Sequence, residues 1–382
     1  MALVLTEDQQ LLKDSAKGFC LHNAPIDVLR KLRDSKDETG FDETVWAQMI
    51  ELGWPGMAIP EAYGGFEFGY GGLGVLLEET GRSLVSSPLI ASVLLGATAI
   101  NKLGTEEQKQ EMLAAIVSGE LLLALGIDEK MSHKPTSVST TAEANADGYI
   151  ISGCKTFVLD GHVANKLIVS ARTSGAVESE AGISLFVIDA ATKGVSINRT
   201  WMVDSRNAAN ISFDNVQVSK GAALGEIGSG FAGLDQVLDV ARIGVAAEML
   251  GSMQEVFDRT LVYLKQREQF GVLIGSFQGL QHRMADMYSE IELCKSTVRG
   301  ALAALDNPDS TVKEIAIIAS LAKAKLSEIM EKVSNEGIQL HGGIGMTDEF
   351  DIGFFIKRAR AAQQFLGDAS FHRDRYAALN GF

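Results

Sequence analysis

The sequence predicts an α+β multidomain protein with an N-terminal helical domain over residues 1–121, a middle antiparallel β-barrel over 122–222 and a C-terminal four-helix bundle over 223–382. Three observations carry this expectation. Up to about residue 121, apolar residues recur every three or four positions between recognisable caps. From 122 onward Thr, Val, Ile and Gly rise, and short alternating runs appear between turn residues. Beyond 223 four long stretches regain the helical period and are joined by short turns, the pattern of an up-down bundle.

Thr6-Glu7-Asp8-Gln9 reads as a helix cap with acids in the first turn, followed by Leu11, Leu12, Ala16 and Phe19 at helical spacing. Trp46, Met49, Ile50 and Leu52 form another apolar face, which Gly53-Trp54-Pro55 stops. Ile59-Pro60-Glu61-Ala62-Tyr63-Gly64-Gly65 is a turn-rich loop. Helices are expected over 73–82 and 87–103, and Gly104-Thr105-Glu106-Glu107 caps one more. In the middle domain, strands are expected over 139–144, 149–152, 167–171, 183–188 and 210–213, with Asn145-Ala146-Asp147-Gly148 as a hairpin turn. Strand never alternates with helix here, which argues against a doubly wound nucleotide domain. Gly228, Gly230 and Gly233 form a Gly-x-Gly-x-x-Gly match, but no strand leads directly into it inside a βαβ unit. Those glycines read instead as the crossing from barrel to bundle. The last helices are expected over 234–266, 280–306, 310–337 and 350–365.

Composition excludes several classes. A net charge of −15 makes a nucleic-acid surface improbable, and an anionic ligand would have to be met by a few locally focused arginines. Cys20, Cys154 and Cys294 are scattered, without metal or redox spacing, which fits a reducing compartment. The first residues lack secretory or transit character, and the apolar run over 85–100 is cut by Ser and Pro and is too short for a bilayer. A cytoplasmic protein without membrane insertion is expected. No clustered metal ligands, no Gly-x-Ser-x-Gly elbow and no P-loop occur, so any chemistry is borrowed from a cofactor.

Two segments single themselves out. Arg267-Glu268-Gln269-Phe270-Gly271, then Phe277-Gln278-Gly279-Leu280-Gln281-His282, lies between two helical patterns, with an arginine ending one and amide side chains opening the next. Such a junction can hold a polyanionic, hydrogen-bonding ligand, or simply satisfy its own turn. The second segment is Gln339-Leu340-His341-Gly342-Gly343-Ile344-Gly345-Met346. In this order the two segments resemble the C-terminal domain of the acyl-CoA dehydrogenase family, and the Pro60–Gly65 loop resembles the family's Pro-Glu-x-Tyr-Gly-Gly. The resemblance covers essentially the whole chain.

That resemblance implies FAD as cofactor, an acyl-CoA thioester as substrate, a homo- or hetero-oligomer (dimer or tetramer) with a related subunit, and an electron-transfer flavoprotein as acceptor. It implies that Arg267, Phe270 and Gln278 bind FAD, and that Gln339, Gly342 and Gly343 receive the FAD of a neighbouring subunit. Phe157 and Leu159 stand where the family carries Trp-Ile-Thr-Asn-Gly beside the flavin ring; Leu159 has no hydroxyl and leaves only a backbone N–H for N5. Asp128-Glu129-Lys130 stands in for a Pro- and Gly-containing loop upstream. Leu238-Asp239-Val240-Ala241-Arg242 resembles the helix that receives acyl-CoA, with Asp239 and Arg242 on one face as substrate-binding residues, or as a simple surface ion pair.

The family's reaction needs a carboxylate to take the α-proton. Its two locations here hold Leu366, in Phe365-Leu366-Gly367-Asp368, and Ala241. The catalytic base is therefore unknown, with Glu248 and Asp368 as candidates and Asp368 more readily a residue that touches FAD. The expected function is FAD-dependent α,β-desaturation of an acyl-CoA. The alternatives are a non-catalytic, cofactor-binding subunit of a heteromeric enzyme and a flavin oxidase on the same fold.

Overall fold

A computed structural model describes residues 4–382. Its helices are α1 (Glu7–Asn23), α2 (Ile26–Ser35), α3 (Glu43–Glu51), α4 (Gly69–Arg82), α5 (Thr98–Leu103), α6 (Glu106–Val117), α7 (Gly230–Gln266), α8 (Gln278–Asp306), α9 (Val312–His341), α10 (Ile352–Gln364) and α11 (Ala369–Leu379). The strands are β1 (Leu123–Gly126), β2 (Thr141–Ala144), β3 (Gly148–Leu159), β4 (Lys166–Arg172), β5 (Ile183–Asp189), β6 (Val195–Trp201), β7 (Asn207–Ser219), β8 (Ala223–Leu224), β9 (Glu268–Gln269) and β10 (Val272–Leu273). The chain divides into two compact units. One comprises residues 1–31, 70–85 and 242–382; the other comprises residues 32–69 and 86–241. The division falls inside α7.

The caps read from sequence form as expected. Thr6 and Thr105 each accept the backbone N–H of a glutamine three residues on, while that glutamine's side chain reaches back, closing two capping boxes. Thr311 does the same with Glu314 at the start of α9. The chain over 87–103 is less regular than expected, because Leu89–Ala97 is a fully buried π-helical stretch that continues into α5.

The middle β region is an open sheet, not the closed antiparallel barrel predicted. Its eight strands run β6-β7-β3-β2-β4-β5-β8, with β1 also on β4, and β6 and β8 end the order without closing on each other. The sheet is mixed as well, since β1 pairs with β4 in parallel and β2 meets β4 in parallel at Thr141 and Arg172. Alternation in short runs specifies which face of a strand is buried; it does not specify whether the edge strands meet. The Asn145 turn is present, its Oδ1 accepting from the N–H groups of Asp147 and Gly148 between β2 and β3. Inward residues Ile151, Leu167, Val169, Phe186, Ile211 and Phe213 form the core of this region.

In the other unit α9 packs against α8, α10 and α11, so the expected four-helix bundle carries a fifth helix that the sequence reading missed. The short helix α4 is wedged into α7 by glycines. A Cβ on Gly81 would lie 2.1 Å from the Glu248 carbonyl oxygen, and one on Gly251 would lie 1.7 Å from that of Glu78. Only glycine lets these two backbones touch. Glu78 and Glu79 are nearly fully buried beside this contact, and Lys13 and Arg299 neutralise Glu78.

Candidate active site

Between α7 and α8 the chain makes a two-residue hairpin. β9 and β10 pair Gln269 with Val272 and Glu268 with Leu273, leaving Phe270 and Gly271 as the turn, both at positive φ (56° and 76°). Positive φ at both central residues gives the tight turn that matches strand twist, and Gly271 supplies it freely. Phe270 does not, because a bulky residue in the left-handed region is strained. It is nonetheless 91% exposed, with Phe277 edge-on to it at 6.2 Å. Arg267, just before the hairpin, and Gln278, at the start of α8, are exposed beside it. At the far end of α9, Gln339 is exposed and Gly342 caps the helix at φ 65°. A Cβ on Gly342 or Gly343 would meet nothing within 4 Å, so their backbone amides are open to a ligand. A strained exposed ring, an arginine, two amide side chains and an unobstructed Gly-Gly turn suit a ligand with a flat base and an anionic bridge.

In the other unit, β3 bulges against β7 between Lys155 and Val158, and Phe157 sits in that bulge at φ 51° with 40% of its surface exposed. Its N–H donates to the Asn210 side chain at 3.2 Å, which holds the ring outward. Asp160, three residues on, is again left-handed at φ 53°, and Leu159 just before it is half-buried. The loop over 128–130 is pinned from below. The Glu129 carboxylate accepts from the fully buried Lys155 ammonium at 2.8 Å and from the N–H groups of Ser139 and Thr140 at 2.7 and 3.0 Å. Burial works against the Glu129 charge, yet Lys155 outweighs it and holds the carboxyl below the usual range.

The turn where the resemblance places a catalytic glutamate carries Leu366 instead. Leu366 is left-handed at φ 60° and buried, and Gly367 follows at φ 102°. The His372 ring bonds the Leu366 carbonyl at 2.9 Å. The Lys323 ammonium donates to the Gly367 carbonyl at 2.9 Å and to that of Gln363 at 3.1 Å. Neither candidate base is idle. Glu248, 2% exposed, is paired with the buried Arg358, and Asp368 caps α11 by accepting the Phe371 N–H at 2.8 Å.

Sequence reasoning missed Lys323, although it stands in the apolar stripe Ala319, Lys323, Leu326, Met330 of α9, where a lone lysine is the signal. Arg242, read from sequence as an acyl-CoA contact or a surface ion pair, is fully buried, as is Asp239 but for 2%. The Arg242 guanidinium lies 5.7 Å from the Phe371 ring centroid. Complete burial, and then the charge of Arg242, bring the Lys323 ammonium down to about 7, while Asp368 works the other way. Because this folded value lies below the unfolded one, the burdened charged form weakens the fold below pH 7. That burden is relieved as pH rises from about 7 towards the ordinary lysine value. The urea midpoint is therefore expected to climb between pH 6.5 and pH 9, and Lys323→Met is expected to flatten the climb. Parallel profiles for the two proteins would show that Lys323 does not carry it.

A helical–sheet–helical chain with a strained aromatic hairpin and an open Gly-Gly turn presents a candidate site for a nucleotide-containing cofactor. Residues 6–120 match the acyl-CoA dehydrogenase N-terminal domain, 128–216 the middle domain and 228–379 the C-terminal domain. The chain is 32% identical over 380 residues to the probable acyl-CoA dehydrogenase YngJ of Bacillus subtilis, covering 98% of both. It is 29% identical over 357 residues to the caffeyl-CoA reductase-Etf complex subunit CarC of Acetobacterium woodii, covering 92% of both. Among solved structures, the steroid ACAD Tcur3481-Tcur3483 superposes with a TM-score of 0.87 at 33% identity over 98% of each chain. The chain belongs to the acyl-CoA dehydrogenase family, oxidoreductases that act on the CH–CH group with FAD as cofactor. Among the described residues no helix is long and apolar enough to cross a membrane, and no group of three His, Cys, Asp or Glu could hold a metal ion.

Proposed function

We propose that this chain is a flavoprotein subunit of a heteromeric acyl-CoA dehydrogenase, in which α,β-desaturation of the thioester takes place with a proton acceptor that a related subunit contributes. The carrying observation is the Leu366 turn, a left-handed, buried backbone with an aliphatic side chain where the reaction needs a carboxylate. The pattern of departures supports it. Arg267, Phe270, Gln278, Gln339, Gly342 and Gly343, the residues that a family member lends to a shared FAD, are present and shaped for it. Leu159 and Leu366, which would serve a site of the chain's own, have lost the hydroxyl and the carboxylate.

In this reading Arg267 pairs with the pyrophosphate, Phe270 covers the adenosine, Gln278 and Gln339 hydrogen-bond it, and the amides of Gly342 and Gly343 close on the bridge. Phe157 stacks on the flavin ring, and Asp368 lies within the cofactor's surroundings. FAD, when bound, accepts the hydride that leaves the β-carbon as the α-proton goes to a carboxylate. Asp239 and Arg242, the substrate residues that the resemblance implies, are buried on α7, so Arg242 acts on the thioester from the core as a fixed positive charge and not by direct contact. An electron-transfer flavoprotein takes up the electrons, in the cytoplasm.

The test is the chain purified alone and mixed anaerobically with a panel of acyl-CoAs. Absorbance near 450 nm is expected to stay unbleached; bleaching by any thioester would make the chain self-sufficient and overturn the reading. Within the same preparation, Arg267→Ala is expected to lower flavin affinity about tenfold to a hundredfold, since a charge-assisted contact to phosphate is lost. The flavin-to-protein absorbance ratio after gel filtration checks this, and a ratio equal to wild type would remove Arg267 from the cofactor site.

A further inference from the structure

His341 sits inside the Gln339–Gly343 segment, yet nothing in the proposed function uses it. Two residues apart on a helix project roughly 200° apart, so His341 and Gln339 face different sides of α9. Gln339 is exposed; His341 is 2% exposed and lines a cavity of about 500 Å³ together with residues of α1, α4, α7 and the 349–352 segment.

The ring's protonation follows from its contacts. Its Nδ1 lies 2.7 Å from the Gly337 carbonyl, which can only accept, so Nδ1 carries the proton. Burial, with Arg259 nearby, favours the neutral ring. Nε2 is then a bare lone pair, buried and without a hydrogen-bond partner. A buried acceptor in this state is costly unless a donor meets it.

The rest of the cavity says what that donor is attached to. His341 stacks on Tyr263 at 4.5 Å with 24° between the planes, and Phe350 leans on both rings at 5.2 and 6.0 Å. This makes an aromatic wall. Around it stand four carboxylates, Glu255, Asp258, Glu349 and Asp351, against two guanidinium groups, Arg82 and Arg259. Both arginines are engaged. Arg82 bonds Asp258 at 2.7 Å and Glu255 at 2.9 Å, and Arg259 bonds Glu255 at 2.8 Å and Asp351 at 3.0 Å. Arg30 adds a third guanidinium, 2.8 Å from Asp351, so the surplus is a single negative charge, the exposed Glu349, which disfavours phosphates and carboxylates and favours a cation.

We propose that this cavity is a binding site for a flat aromatic or heteroaromatic cation that bears N–H donors, with one N–H on His341 Nε2 and the ring against the Tyr263–His341–Phe350 wall. Aromatic stacking and cation–π attraction act on the same ligand face, and the carboxylates exclude its anionic counterpart. Benzamidine is the probe and benzoate its isosteric anion. Titration calorimetry of the full chain is expected to show benzamidine binding, with benzoate at least about tenfold weaker. His341→Phe keeps the ring and deletes the acceptor, and is expected to weaken benzamidine about tenfold. Glu349→Gln, at an exposed mouth residue, is expected to narrow the benzamidine-to-benzoate ratio, and serves should His341→Phe not fold. No heat from benzamidine at 10 mM, roughly the weakest affinity that a few such contacts could give, would overturn the proposal. So would equal binding of benzoate, or variants that bind as wild type does.

Discussion

Leu366→Glu is expected to raise acyl-CoA turnover of the isolated chain by roughly two to four orders of magnitude over the wild type, the usual worth of a positioned general base. A glutamate at φ 60° bears the same left-handed strain that leucine bears now, so the substitution adds no new backbone penalty. The surroundings also suit an anion. Lys323 donates to the carbonyl of the next residue, and Arg242 and Arg358 both act on that ammonium from within the same unit. The proton on Lys323 should in turn be held more tightly, which brings its folded value back towards the ordinary lysine value and flattens the climb of stability above pH 7. Anaerobic bleaching near 450 nm by an acyl-CoA panel is the measurement. A folded, yellow Leu366→Glu protein that no thioester bleaches would show that more than the base is missing, with Leu159 the next residue to change.

Glu248→Ala is expected to cost on the order of 3–5 kcal/mol of stability, because it takes the carboxylate away from a guanidinium that is only 6% exposed. Glu248→Gln keeps the shape and some of the hydrogen bonding and should cost less. The urea midpoint followed by circular dichroism reads both. The same pair decides between two roles for this residue. A structural Glu248 predicts that activity of the enzyme falls only with the folded fraction. A Glu248→Ala chain as stable as wild type, but inactive in the assembled enzyme, would instead make Glu248 the proton acceptor.

Much of this was legible in the chain itself. Thr6, Thr105 and the Asn145 turn were readable because capping boxes and Asx turns are local, set by side chains within three residues of the backbone they bond. The hairpin of Arg267–Phe277 was readable as a break between two helical periods, but its turn geometry was not. Nothing in the letters Gln269-Phe270-Gly271-Val272 says that phenylalanine, and not glycine alone, takes positive φ. The closure of the sheet failed for a related reason, since edge pairing depends on residues far apart in sequence. α2, α11 and β6 were missed because they are short or mixed in polarity, and their burial comes from tertiary partners. Lys323 and Arg358 were invisible as a cluster with Glu248 and Asp368 because four different helical segments bring them together. That neither position the resemblance gives to the base holds a glutamate, by contrast, is readable directly in Leu366 and Ala241.

The wedging of α4 into α7 has a consequence for how the protein is made. Residues 32–69 and 86–241 contain all the partners their compact unit needs once Ala241 has left the ribosome. α1 and α4 do not share that position. Their unit is completed only by residues 242–382, and the glycine contact that seats α4 requires Glu248 and Gly251 to exist. At ~5–20 residues per second the earlier helices wait for tens of seconds with Leu73, Leu76 and Leu77 uncovered. The second-born half of the sequence thus acts as the template on which the first-born helices finally settle. Slowing translation after Ala241 should lengthen the time for which chaperones hold the nascent chain, without delaying the sheet.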